Sequence, residues 1–223
     1  KLRKTMKKLL SIVSSLILFS TISAKAEVGI GISGAFISID GDGSETTRSS
    51  GEVNKGSSSE SEVIPEVFVE MIGDSGSAFG ISYIPTRDVG SKSRTDAESP
   101  GDTDGDDGTY SAKAELDNVI KIYGDIPMGS FAGGTTYLAV GLQHVELVTL
   151  ESLNSGATYP NRNLFGYTVG LGLKGDVPYG NNLYYKGEVT YTDFETYEAD
   201  GAGNKVKADL DATAARFSIG YKF

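Results

Sequence analysis

Cysteine is absent from all 223 residues, so the chain can build neither a disulfide nor a thiolate metal site, and it offers no cysteine nucleophile. Histidine occurs once, at His144. Basic residues are scarce where they would matter. Six of the 20 (Lys1, Arg3, Lys4, Lys7, Lys8 and Lys25) fall in the first 26 residues, leaving 14 against 30 acidic ones and a net charge of −16 beyond Ala26. That balance excludes nucleic acid as a partner, because phosphate binding depends on basic patches. No phosphate loop, metal-ligand cluster or dinucleotide fingerprint is present, so no cofactor is expected. After the N-terminal segment no stretch stays apolar for 18 residues, which excludes a transmembrane helix.

The N-terminal segment reads as something removed before folding. Lys7 and Lys8 precede the uncharged run Leu9 to Ile22, and Ala24, Lys25 and Ala26 form an A-x-A exit before Glu27. A basic start, a short apolar middle and small residues at the exit make a secretory signal peptide. The run is too short to span a bilayer, which needs about 20 residues. Met6 is the expected initiator, so residues 1–5 read as upstream sequence. Residues 1–26 are therefore set apart from a single domain over 27–223.

What remains alternates with period two. Val28, Ile30, Ile32, Gly34 and Phe36 share one face of a first strand, followed by a polar stretch, Asp40 to Ser61, that reads as a mobile loop. Strand two (Glu62 to Ile72) sets Val63, Val67, Val69 and Met71 against Glu66, Phe68 and Glu70. After a tight Gly73 to Gly76 link comes strand three, Ala78 to Pro85. A polar loop, Thr86 to Thr109, leads to strand four, Tyr110 to Gly124, with Lys113, Glu115, Asp117 and Lys121 on one face. Asn118 then falls awkwardly on the apolar one. Strand five, Thr135 to Thr149, alternates too weakly to assign its faces. Strand six opposes Phe165, Tyr167, Val169 and Leu171 to Gly166, Thr168, Gly170, Gly172 and Lys174. Strand seven opposes Leu183, Tyr185, Val189 and Tyr191 to Tyr184, Lys186, Glu188 and Thr190. The last strand runs from Asp211 to Phe223, with Phe217, Ile219, Tyr221 and Phe223 opposite Ala214, Arg216, Ser218 and Gly220.

Eight strands with connections alternating long and short predict an all-β, eight-stranded antiparallel up-and-down barrel, its long polar loops at one end and its tight turns and termini at the other. This architecture, closing on an aromatic-rich strand that ends at Phe223, resembles the small eight-stranded bacterial outer-membrane barrels of the OmpA, OmpX and OmpW kind, the opacity-type porin family. The resemblance implies a transmembrane barrel in the outer membrane of a Gram-negative bacterium. It implies that Phe217, Tyr221 and Phe223 are read by the barrel-insertion machinery, and that lipid and lipopolysaccharide are its surroundings. Aromatics on the apolar faces fit interfacial girdles. An eight-stranded barrel is just wide enough inside for side chains, so Glu66, Glu70, Glu115, Asp117 and Glu188 are expected to pair in the lumen with Lys113, Lys121, Lys186 and Arg216.

Two stretches invite a chemical reading. Asp102, Asp104, Asp106 and Asp107 gather carboxylates as a calcium loop does, but Asp107 stands where such a loop needs glycine and Lys113 where it needs a bidentate Glu. That excludes an EF-hand and leaves Asp102, Asp104 and Asp106 as a weak surface metal site, or as a solvated acidic loop. His144, two residues from Glu146 on one strand, has no serine beside it for the triad chemistry of a lipid-modifying enzyme. The chain therefore reads as a structural or surface-interaction barrel, not an enzyme, with a charge-filled lumen and long acidic external loops that display ligand sites; a narrow porin-like channel for small solutes is the alternative, and a lipid-modifying enzyme resting on His144 ranks behind both. The channel draws support from Gly166, Gly170, Gly172, Ala214 and Gly220, small residues on inward faces.

Overall fold

The computed structural model describes residues 26–47, 50–51, 53–96, 108–152, 159–201 and 204–223. Among them are ten strands: β1 (Glu27–Thr47), β2 (Val53–Ile72), β3 (Ala78–Ile84), β4 (Arg87–Asp96), β5 (Gly108–Phe131), β6 (Gly134–Ser152), β7 (Arg162–Asp176), β8 (Leu183–Phe194), β9 (Tyr197–Gly201) and β10 (Asn204–Lys222). Every pairing is antiparallel, and β10 returns to β1 from Gly29↔Lys222 to Thr47↔Asn204. The sheet is thereby closed. β4 continues the path of β3 and pairs with β5, while β9 continues β8 and pairs with β10. The ring has eight staves, as the alternation predicts. No helix among the described residues is long and apolar enough to cross a membrane.

The faces follow a rule opposite to that of a water-soluble barrel. On β10, Phe217 is 56% exposed on the outside while its neighbour Arg216, turned inward, is 7% exposed. Ile32, Val67, Leu171, Val189 and Ile219 are likewise exposed, forming an apolar belt around the half of the barrel nearest the termini. On β1 the belt runs from Val28 to Phe36, about 26 Å of strand and about 20 Å of height at a strand tilt near 40°. An apolar belt of this extent on a barrel with polar contents suits lipid rather than water.

Toward the loop end the rule inverts. Ala35, Ile37, Ile64, Ile84, Leu116, Val145, Leu147, Leu164 and Phe194 are buried within the barrel as one cluster, with Ile39 and Leu210 packed against it, while Asp40 and Val53 to Glu62 face solvent. This half is built like a soluble barrel.

The polar stretches correct the sequence reading. Most of Asp40 to Ser61 forms paired strand, with β1 reaching Thr47 and β2 starting at Val53, in register from Asp40↔Ser59 to Thr46↔Val53. Parts of the next and last loops likewise form β4 and β9. Composition predicts loops there because nothing apolar is offered to a core, yet backbone hydrogen bonds to a neighbouring strand need no core.

Candidate functional site

The polar half of the lumen is a neutral ion network. Four acids (Glu66, Glu70, Asp125 and Glu188) meet four bases (Lys121, Lys174, Lys186 and Arg216) with side chains no more than 9% exposed. Lys121 lies 3.0 Å from Glu66; Lys186 lies 2.9 Å from Glu70 and 2.8 Å from Asp125; Lys174 lies 3.0 Å from Asp125. Arg216 sits between two carboxylates, its Nε 2.6 Å from Glu66 in an ion contact that is off-line for a hydrogen bond, and its Nη1 donating to Glu188. Three tyrosine hydroxyls add donors to two of the carboxylates: Tyr123 and Tyr184 donate to Glu70 at 2.7 and 2.8 Å, and Tyr137 donates to Glu188 at 3.1 Å. One layer toward the loops, Gln143 donates to Thr168 and Thr192, and those two hydroxyls are 2.8 Å apart. Paired and hydrogen-bonded charges are the form in which ions tolerate such enclosure.

Glycine makes this packing possible. A Cβ on Gly172 would lie 2.2 Å from the Tyr137 ring, one on Gly220 would lie 2.4 Å from Tyr184, one on Gly80 2.5 Å from Tyr123, and one on Gly31 2.3 Å from Phe68. Each aromatic ring takes the space that a side chain would fill at these glycines. The rings also surround the central cation: Lys186 Nζ stands 4.7 Å from the Tyr123 ring centre and 5.6 Å from that of Tyr137. A cavity among these groups has about 20 Å³ of free space, room for one ordered water. Of the small inward residues that favoured a channel, Gly166, Gly172 and Gly220 face the rings of Phe194, Tyr137 and Tyr184, Gly170 meets Thr190, and Ala214 belongs to the apolar cluster.

Above the network the apolar cluster leaves a cavity of about 40 Å³ bordered by Ile37, Ile64, Ile84, Leu116, Val119 and Phe194. Below it, at the end of the termini and tight turns, an open vestibule of about 360 Å³ reaches in as far as Tyr184 and Lys174. The ion network separates the two.

Of the residues expected in the lumen, Glu66, Glu70, Lys121, Lys186, Glu188 and Arg216 lie in the network. Lys113, Glu115 and Asp117 do not, and their expected place is corrected to the outer surface. Asn118 takes φ 51° at a bulge between Asp117 and Ile120, and the extra residue reverses the alternation. Leu116 and Val119 both turn inward, so the charges before the bulge and the isoleucines after it share the outside. There Lys113 bridges Asp88 at 2.9 Å and Glu115 at 2.7 Å, tying β4 to β5. Asp117 instead accepts from Thr86 and Asn118.

Two members of the network, Asp125 and Lys174, were absent from the expected set. Lys174 ends the Gly-Thr-Gly-Gly face of β7 and was legible by parity; Asp125 falls one residue past the expected end of strand four at Gly124. β6 resolves with Tyr137, Ala139, Gln143, Val145 and Leu147 inward. His144 faces outward and meets Phe165 edge to face, with ring centres 5.2 Å apart. Phe217, Tyr221 and Phe223 lie on the exposed face of the last strand. Among the described residues no group of three or more His, Asp or Glu is placed to hold a metal. Residues 1–25, and Asp102, Asp104 and Asp106, lie outside the described residues.

No family model matches the chain, and no curated protein matches it in sequence. Among solved structures, the outer membrane protein OprG from Pseudomonas aeruginosa is similar with a TM-score of 0.56 and 16% identity, over 92% of this chain and 99% of that one. AlkL, solved in DMPC lipid bilayers, gives 0.47 and 13% over 92% and 95%, and Neisserial surface protein A (NspA) gives 0.46 and 10% over 88% and 97%. The likeness to OprG is one of fold: this chain has the eight-stranded fold of a small outer-membrane β-barrel.

Proposed function

We propose that the chain is an exported, integral outer-membrane protein of a Gram-negative bacterium that closes its own lumen and works through its outer surface. Residues 1–26 are then the cleaved leader. The ion network carries this reading: four acids neutralised by four bases, capped by tyrosines and wedged by rings over glycines, with space for about one water. A solute crossing this layer would have to separate paired charges that no water replaces, at several kcal/mol per ion. That cost sets the balance against the channel reading, although the open vestibule at the termini end favours access that far. Catalysis has less support, since His144 lies on the outside against Phe165. Lipid and lipopolysaccharide then surround the belt, the insertion machinery reads the Phe217, Tyr221 and Phe223 face, and ligands meet the loop end.

Single-channel recording of residues 27–223 refolded in a planar bilayer tests the proposal. Inserted protein that stays silent agrees with it. Steady conductance steps that change when Glu188 or Arg216 is neutralised overturn it in favour of a charge-lined pore.

A further inference from the structure

Among the described residues, the strand pairing around the barrel is interrupted between β2 and β4 at the loop end. β2 and β3 are paired from Ile72↔Ala78 to Val67↔Tyr83, and there the pairing stops. Extending the register by two residues would set Pro65 opposite Pro85, and neither proline has an N–H to give. Beyond them β4 turns to β5, at Arg87↔Leu116 and onward. From Ser58 to Ile64, β2 is bonded to β1 on one side and, among the described residues, to no strand on the other. The edge is also bare. Ser58 to Val63 are exposed on both faces, and the short side chains of Ser58, Ser59 and Ser61 leave the main chain within reach. Natural sheets protect long edges with lysine, proline or a covering segment, because unpaired N–H and C=O groups form a template for another strand.

The charge around this edge limits what could occupy it. The loop-end parts of β1, β2, β9 and β10, together with β4 on the open side of the edge (residues 37–47, 53–64, 87–96, 197–201 and 204–213), carry eleven acidic residues against six basic ones. Like charges repel at such an edge, and a basic segment is drawn to it. A second copy of this chain is a poor occupant on two grounds. It brings the same excess of acid. In the same membrane, moreover, it presents β2 running in the same sense, whereas an antiparallel match needs the opposite one.

We propose that the edge of β2 between Ser58 and Ile64 takes an extended, basic segment of a partner polypeptide as an added strand. Main-chain bonds give the affinity and the surrounding carboxylates give the selectivity. This rests on the surface-interaction reading and supplies its partner class.

The test uses the refolded barrel in detergent micelles and two labelled ten-residue peptides of alternating lysine and threonine, one ordinary and one N-methylated at every residue. Both carry the same charge, and only the first can donate main-chain bonds. The ordinary peptide is expected to bind and to slow amide exchange in β2 between Ser58 and Ile64. The methylated one should bind at least about tenfold more weakly, the equivalent of one or two hydrogen bonds. Equal binding of the two would reduce the contact to charge alone and overturn the proposal, as would absence of binding near 1 mM, the weak end of measurable affinity. So would protection confined to other strands. A silent barrel that ignores the peptide sinks the strand addition and leaves the closed lumen standing; a conducting barrel that binds it does the reverse.

Discussion

Replacing Arg216 by Met probes the network where its charges are most concentrated. The guanidinium touches Glu66 and Glu188, and its side chain is 5% exposed, so Met retains most of the volume while deleting the charge. Four acids then face three bases. Glu66 keeps Lys121 at 3.0 Å, and Glu188 keeps the Tyr137 hydroxyl at 3.1 Å, so neither carboxylate is wholly abandoned. A single ion pair with charges about 4 Å apart is worth roughly 4 kcal/mol at an effective dielectric near 20. Removing one partner of a buried pair costs about 3 to 5 kcal/mol in practice. We expect a loss in that range, read from guanidinium unfolding in phospholipid vesicles by far-ultraviolet circular dichroism. The double variant R216M/E188Q should recover at least about 1 kcal/mol of it, because the second change removes a stranded charge. A loss below about 1 kcal/mol for R216M, the level of a solvated surface pair, would refute the reasoning. It would mean that water already reaches these groups and that the lumen is wet.

Three further outcomes follow from particular contacts. Gly172→Ala brings a methyl group 2.2 Å from the Tyr137 ring and should destabilise by about 1 to 3 kcal/mol in the same unfolding assay; Gly34→Ala, with nothing within 4 Å, should have little effect. Asn118 holds φ 51°, so Asn118→Val should cost about 1 to 2 kcal/mol, while Asn118→Gly should be tolerated and leave the strand pairing seen by amide exchange unchanged. On the exposed β9–β10 hairpin, a hydrogen bond from Lys207 at 3.0 Å, assisted by the charge of Lys205, holds the Glu198 carboxyl below its ordinary range. A depressed carboxylate pKa stabilises the folded form at pH values above the unfolded value, and the contribution is lost as pH falls through the folded one. The carbon-13 titration midpoint of Glu198 should therefore lie below that of an ordinary glutamate, and Lys207→Met should raise it.

Period-two alternation was enough to find the eight staves of the ring and the belt side of most of them, because lipid outside and a crowded lumen inside impose opposite chemistry on successive residues. Val28 to Phe36, Val63 to Met71 and Thr213 to Phe223 were legible for this reason, and so were Glu66, Glu70, Lys186, Glu188 and Arg216 as lumen groups. The tight link after Ile72 was legible from its glycines. Alternation fails where the backbone slips a residue. Asn118 showed in the sequence as a polar residue on an apolar face, but only the bulge at φ 51° revealed that parity reverses there and carries Lys113, Glu115 and Asp117 to the outside.

Other decisions belonged to the closed barrel alone. Which acid meets which base depends on stagger between strands distant in sequence, as when Glu70 of β2 meets Lys186 of β8. A glycine in a strand marks either an empty space or a place for a ring, and Gly172 and Gly220 became the latter once Tyr137 and Tyr184 swung over them. The apolar cluster at the loop end was hidden because its members, from Ile37 to Phe194, sit inside a barrel whose lower half puts apolar residues outside. A residue's own type sets what it tolerates, whereas inside and outside are set by the solvent that the neighbouring strands leave it.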